Sequence, residues 1–212
     1  VIDNPRSPRV RAAAKLAKKN QRTETGLFLV EGPQAVAEAL THRPDRVVEV
    51  FCTAAALERH PGLARAAESA GIRLERATDA VLDIIADTVT PQGVVAVCRQ
   101  LAVGLDEILA ARPRLVAVLE EVRDPGNAGT IIRVADAAGA DAVILTGSSV
   151  DVFNPKAVRA TTGSLFHLPV VVGVPLEEAL AALRGGGLRV LAADVSGDDL
   201  LAVRSDGDLD GP

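Results

Sequence analysis

Residues 115–147, LVAVLEEVRDPGNAGTIIRVADAAGADAVILTG, constrain the fold more than any other stretch of the chain. Residues 115–119 form a short apolar run of the kind that makes a buried strand. Two acids follow, Glu120 and Glu121, and then a turn-forming cluster, Asp124-Pro125-Gly126-Asn127. Beyond Asn127, Ile131, Ile132, Ala135 and Ala138 recur at helical spacing. Gly139 ends that helix, and residues 142–145 form a second apolar run. Strand, loop, helix and strand within about 30 residues make the parallel-sheet unit, whose crossover needs a dozen or more residues. Ligand sites in such sheets gather at the carboxyl ends of the strands. The polar residues from Glu120 to Asn127 are therefore candidates for function.

Dinucleotide binding is the most familiar use of such a loop, and the residues do not support it. That use needs G-x-G-x-x-G and an acid at the end of the next strand. Here only Gly126 and Gly129 are present, at the wrong spacing, and the second strand ends in Thr146-Gly147. Taken singly, Asn127 reads as a helix N-cap and Arg133 as a solvated helix residue.

Taken together, the residues resemble the first signature motif of the SpoU (TrmH-type) RNA ribose methyltransferases of the SPOUT class. That motif is a strand, then D-P-x-N-x-G-x-I-x-R, then a helix with A-x-x-x-G-A. It is matched by Asp124, Pro125, Asn127, Gly129, Ile131, Arg133, Ala135, Gly139 and Ala140. A second match runs through Asn154-Pro155-Lys156, Arg159-Ala160 and Gly163 to Phe166-His167-Leu168-Pro169-Val170. A third is the basic front followed by Gly26-Leu27-Phe28-Leu29-Val30-Glu31-Gly32, which looks like the small substrate-binding domain many of these enzymes carry.

Charge is unevenly placed. The net charge is −5, yet residues 1–25 carry Arg6, Arg9, Arg11, Lys15, Lys18, Lys19 and Arg22 against Asp3 and Glu24. A basic patch on an acidic protein is a localised footprint for phosphates, and its setting ahead of the family-like segment favours RNA over a plain solvated helix face. With four aromatic residues, all Phe, stacking on bases contributes little. Lys156 and Arg159, three apart on one helical face, are read as an RNA or subunit contact. The candidate RNA-binding set is thus Arg9, Lys15, Lys18, Lys19, Arg22, Lys156 and Arg159.

No run of 18 apolar residues and no signal peptide is visible, so no membrane span is expected and a cytoplasmic location fits. Cys52 and Cys98 lie in apolar runs and read as reduced core thiols. With no histidine nearby they make a poor zinc site, and no metal is expected.

Alternating strands and helices indicate an α/β fold. Residues 1–98 are expected to form a small α/β RNA-binding domain, 99–112 a partly helical connection, and 113–212 a parallel-sheet methyltransferase domain. At the front a helix is expected from Ser7-Pro8 to about residue 20, and further on one helix over 57–70. In the second domain strands are expected at 168–172 and 188–193, and a loop in the Asp-rich tail from Asp194.

The resemblance implies methyl transfer from S-adenosylmethionine to a ribose 2′-hydroxyl of structured RNA, first of all ribosomal RNA, by a homodimer. It assigns catalysis to Arg133 and Asn127, with Glu120 and Glu121 as possible support for Arg133. A guanidinium stays protonated, so Arg133 suits orienting phosphate and stabilising a developing alkoxide better than acting as a base. His167, just before a strand, reads as structural. The family's knot-forming motifs, a glycine-rich acidic loop and a Ser-Leu-Asn segment, do not occur here. Together with the absence of Met this suggests an incomplete chain, with the knot and the cofactor-binding residues beyond Pro212. The other readings are an RNA-binding module without catalysis and a transfer-RNA ribose methyltransferase.

Overall fold

The structure, a computed structural model, describes residues 1–193 and 196–197. Helices α1 (Pro8–Lys15) and α2 (Lys19–Thr25) lead into β1 (Leu27–Glu31). Then come α3 (Pro33–His42), β2 (Val47–Cys52), α4 (Ala54–Arg59), α5 (Pro61–Ser69), β3 (Leu74–Arg76), α6 (Asp79–Ile85) and β4 (Val94–Arg99). These strands form a sheet in the order β1-β4-β2-β3, in which only β2 and β3 run parallel. Helix α7 (Leu105–Ala110) occupies the connection. The second half contains β5 (Val116–Glu120), α8 (Pro125–Ala137), β6 (Ala142–Thr146), α9 (Pro155–Thr161), β7 (Val170–Val174) and α10 (Leu176–Gly185). Its sheet, β5-β6-β7, is parallel throughout.

Strands β4 and β6 are apolar from Val94 to Cys98 and from Ala142 to Leu145 because both faces of each are covered. In β4, Val95 and Val97 face Val10 and Leu16 of the front segment and Leu82 of α6, whereas Val94, Ala96 and Cys98 face the side of α3 and α5. In β6, Val143 and Leu145 join α8 and α9, while Ala142 and Ile144 pack with Ile108 of α7 and Leu183 of α10. The core on the α3 side runs on into the second half without a break. Phe28 of β1 meets Phe153 at 4.9 Å and Phe166 at 6.3 Å between ring centroids, so three of the four aromatic residues weld the two halves. Truncating such a buried ring costs about 3–5 kcal/mol. Both cysteines are free and buried, and burial pushes the Cys98 thiol up to about 12.

Three expectations are corrected. The front helix breaks between Lys15 and Lys19, where Lys18 takes extended backbone angles. The helix expected over 57–70 is two helices. His60 precedes Pro61, whose ring disfavours helical angles at the residue before it, and His60 sits at φ −127 and ψ 66. Residues 188–193 form no strand. They run beside the open edge of β5, where with Arg114, Val116, Val118 and Glu120 they border a cavity of about 480 Å³. The Asp-rich tail lies outside the described residues apart from residues 196–197.

Candidate active site

The polar loop lies at the carboxyl ends of the parallel strands, as the sheet type requires. Glu120 closes β5 beside Thr146 of β6, and the Thr146 hydroxyl donates to the Leu119 carbonyl at 3.3 Å inside the sheet. Glu121 then adopts φ +45, an uncommon conformation for a residue with a side chain, and turns the chain away from the sheet. Its carboxylate takes Arg123 at 3.0 Å.

Asp124, not Asn127, is the N-cap of α8. Its Oδ1 accepts the Asn127 N–H at 2.8 Å, satisfying one of the free donors of the first turn, and Pro125 fills the first helical position, where its missing N–H costs nothing. That hydrogen bond, with Lys156 Nζ 3.7 Å from the other oxygen, holds the Asp124 carboxyl below the usual carboxylate range. The Asn127 side chain is left exposed.

Gly129 explains the next motif position. A Cβ there would stand 2.5 Å from the Ala157 carbonyl oxygen and 2.5 Å from Ala160 Cβ, so the bare backbone lets α8 and α9 touch. This approach carries Asn154, which caps α9 by accepting the Lys156 N–H at 2.9 Å, to the side of the first motif.

Arg133 lies eight residues past Pro125, about 12 Å along α8. It is exposed and forms no hydrogen bond or ion pair with a described residue. Ile131 and Val134 beside it are also exposed, at 38 % and 59 %. Among the described residues neither Glu120 nor Glu121 pairs with Arg133: Glu121 holds Arg123, and Glu120 lines the cavity at the β5 edge.

The candidate RNA-binding cations fall into two groups. Lys15, Lys18 and Lys19 are exposed around the break between α1 and α2, and Lys156 is exposed at the start of α9. Lys19 also reaches the carboxyl ends of β6 and β7, lining a cavity of about 250 Å³ with Gly147, Ser149 and Asp151. The arginines are engaged elsewhere. Arg22 is 2 % exposed, which removes it from the phosphate-binding set. Its Nε and Nη2 donate to Asp151 at 2.9 and 2.7 Å, and its Nη1 donates to the Leu16 and Ala17 carbonyls at 2.8 Å each. It thereby satisfies carbonyls freed where α1 ends, and the bend forms around it. Arg159 reaches into the first half, to Glu31 at 3.1 Å and Asp87 at 3.3 Å. Burial raises the Glu31 carboxyl above its ordinary range, against the opposing pull of the Asp87 N–H and Arg159. Arg9 is paired with Glu49 and Glu75.

Sequence reasoning missed the acids that claim these arginines. Glu31 stood inside a family-like motif without a role, and Asp151 stood in a loop with no signal of its partner 129 residues away.

Comparison with known proteins agrees with this arrangement. The SpoU rRNA Methylase family model matches residues 114–209, and the model for RNA 2′-O ribose methyltransferase substrate binding matches residues 29–103. A 23S rRNA (guanosine-2′-O-)-methyltransferase of Ralstonia nicotianae is 35 % identical over 178 residues, 81 % of this chain and 72 % of that protein. The chain belongs to the SpoU rRNA methylase family. Within the family, the 23S rRNA (guanosine(2553)-2′-O)-methyltransferase of Bacillus subtilis is 37 % identical over 80 % of this chain, which spans 64 % of that protein's length. The AdoMet-bound rRNA methyltransferase from Sinorhizobium meliloti superposes with a TM-score of 0.76 at 31 % identity, covering 92 % of this chain and 72 % of that one.

Proposed function

We propose that this chain methylates a ribose 2′-hydroxyl of ribosomal RNA with S-adenosylmethionine as donor, residues 1–98 holding RNA, 99–112 linking, and 113–212 carrying the transfer site. The observation that carries this reading is the state of α8. Asn127 and Arg133 of the family motif are exposed, and their side chains have no partner among the described residues, whereas Arg22 and Arg159 are locked in ion pairs. Relatives named as 23S rRNA 2′-O-methyltransferases support the reaction and the RNA class, and a relative solved with AdoMet bound supports the donor.

The described residues do not assemble groups that fit this donor. The cavity at the β5 edge is walled largely by aliphatic side chains, with Arg114, Glu120 and Arg189 as its charged members, and offers no fitted set of partners for a nucleoside bearing an amino acid. No residue is therefore assigned to hold it. When bound, the donor supplies an electrophilic methyl group. The chain's own contribution is placement and charge. Lys15, Lys18 and Lys19 attract the RNA backbone. The Asn127 amide orients the ribose, and the planar fork of Arg133 holds a phosphate and stabilises negative charge on the 2′-oxygen as its proton passes to solvent water. The exposed Ile131 and Val134, three apart on one side of α8, support a homodimer through that side of the helix, which leaves Arg133 open. No helix among the described residues is long and apolar enough to cross a membrane, and the reading places the protein in the cytoplasm with the ribosomes.

The test is single-turnover transfer of labelled methyl to ribosomal RNA by the full protein. Arg133→Ala is expected to lower the rate about 100-fold or more while changing stability by no more than about 0.5 kcal/mol, as for an exposed residue. Arg133→Lys keeps the charge without the fork and is expected to fail too. A variant that melts normally and methylates within threefold of wild type overturns the role of Arg133. RNA binding with no methyl incorporation by the wild type leaves a binding module.

A further inference from the structure

Away from the candidate active site, α3 meets the segment after α9 in a cluster the sequence does not advertise. Glu38 and His42, one turn apart on α3, face His167. Glu38 Oε2 lies 3.3 Å from His42 Nε2 and 3.1 Å from His167 Nε2. The two imidazole rings are 4.3 Å apart between centroids. The other Glu38 oxygen accepts from Gln34 Nε2, and His167 Nδ1 lies 2.7 Å from Asp136 Oδ2 of α8. Gly163, at φ +109, makes the meeting possible, because a Cβ there would stand 2.5 Å from Glu38 Cγ.

His167 has a carboxylate on each ring nitrogen. A neutral ring that donates from Nδ1 to Asp136 turns a bare lone pair on Nε2 toward the lone pairs of Glu38, which is repulsive at 3.1 Å. Something positive must stand between Nε2 and Oε2: a second ring proton or a cation. The spacing suits a cation. Zinc bonds of about 2.0–2.1 Å in tetrahedral geometry set neighbouring donor atoms about 3.3 Å apart. The two edges from Glu38, 3.3 and 3.1 Å, fit that distance, and one ligand atom from each of the three residues falls within 4.8 Å of the other two. A carboxylate on the far nitrogen of a ligating histidine is the usual orienting partner in such sites, and Asp136 occupies that place. The His42 side chain is 47 % exposed, leaving a side open for a water as fourth ligand.

We propose that Glu38, His42 and His167 bind one divalent transition-metal ion of the zinc class, oriented by Asp136 and joining α3 of the first half to α8 and the His167 segment of the second. Two imidazoles and one carboxylate suit zinc better than magnesium or calcium, which prefer all-oxygen shells. The sequence concealed the site because its ligands come from two halves of the chain, 125 residues or more apart.

The test uses the full chain, stripped with a chelator and titrated calorimetrically with zinc chloride. One ion per chain is expected, and cobalt chloride should give the visible absorption of a four-coordinate ion. His42→Gln and His167→Gln, which keep bulk at each position, are each expected to weaken binding by about 100-fold or more. Asp136→Asn should weaken it about 10- to 100-fold. His60→Ala, outside the cluster, should leave it unchanged. With free zinc at 100 times Kd, the wild-type melting temperature should rise about 5–10 °C, and that of the His42→Gln His167→Gln double variant should not move. Absence of saturable one-to-one binding by the wild type, or equal binding by the folded double variant, overturns the proposal and leaves His167 as an imidazolium between two carboxylates.

Discussion

The seam between the two halves and the outer face of α8 both carry family-motif arginines, and they use them in opposite ways. In the seam, Arg22 is buried against Asp151, and Arg159 spans to Glu31 and Asp87. On α8, Arg133 stands exposed with no partner among the described residues. The same guanidinium works as a bolt where carboxylates and carbonyls surround it and remains free to meet an RNA phosphate where they do not. An arginine's chemistry therefore says little about its job until its neighbours are known.

The contrast is broken most sharply at Arg22. Arg22→Ala leaves Asp151 unpaired and the Leu16 and Ala17 carbonyls unsatisfied, and is expected to cost about 3–5 kcal/mol in urea unfolding. Arg22→Lys should recover little of this, because one ammonium cannot span both sets of acceptors. A loss below about 1 kcal/mol would show that the seam does not depend on this bolt.

Next in size is Gly129→Ala. On an open helix this change stabilises by up to about 1 kcal/mol. Here the added methyl strikes α9 at 2.5 Å, and a net loss of about 1–3 kcal/mol is expected in the same measurement. A gain would mean that α8 and α9 separate easily.

Arg159→Ala should cost about 1–2 kcal/mol at pH 7, because buried Glu31 loses its cation. Because the folded-state carboxyl is raised, protonating Glu31 favours the native state. Its stabilising contribution is complete below the unfolded value of about 4.5 and is lost as pH rises through the folded value. The penalty of Arg159→Ala should therefore shrink as pH falls from 7 toward 4.5, since a neutral Glu31 has no need of a cation. Melting curves at several pH values check this, and a pH-independent penalty would refute it.

The smallest effect on stability, within about 0.5 kcal/mol, is expected for Lys15, Lys18 and Lys19 changed together to Ala. Their signature is electrostatic. RNA binding should weaken, and the slope of log affinity against log salt should fall by roughly 0.7–0.9 for each phosphate no longer neutralised. An unchanged slope would make them a solvated helix surface like any other.

What was legible follows from what is local. The parallel unit of residues 115–147, the helical start at Asp124-Pro125 and the apolar β4 and β6 are encoded by neighbours in sequence, so period and turn chemistry reveal them. The family motifs were likewise legible because they are short strings with fixed spacing. Local signals were misleading where a distant group decides. A continuous front helix was expected from its composition, yet Arg22 folds back on the carbonyls of Leu16 and Ala17 and the chain turns there. The strand expected over 188–193 has the apolar run but makes no ladder with β5.

The sequence by itself determined the α/β class, the family, the polar loop at the strand ends and the basic front, because each rests on residues close together along the chain. Only the tertiary structure decided which cations are free. Arg22 meets Asp151 across 129 residues, Arg159 meets Glu31 across 128, and His167 meets Glu38 across 129. Such pairings depend on how the shared core around Phe28, Phe153 and Phe166 sets one half against the other, and that packing has no periodicity along the chain by which it could be read.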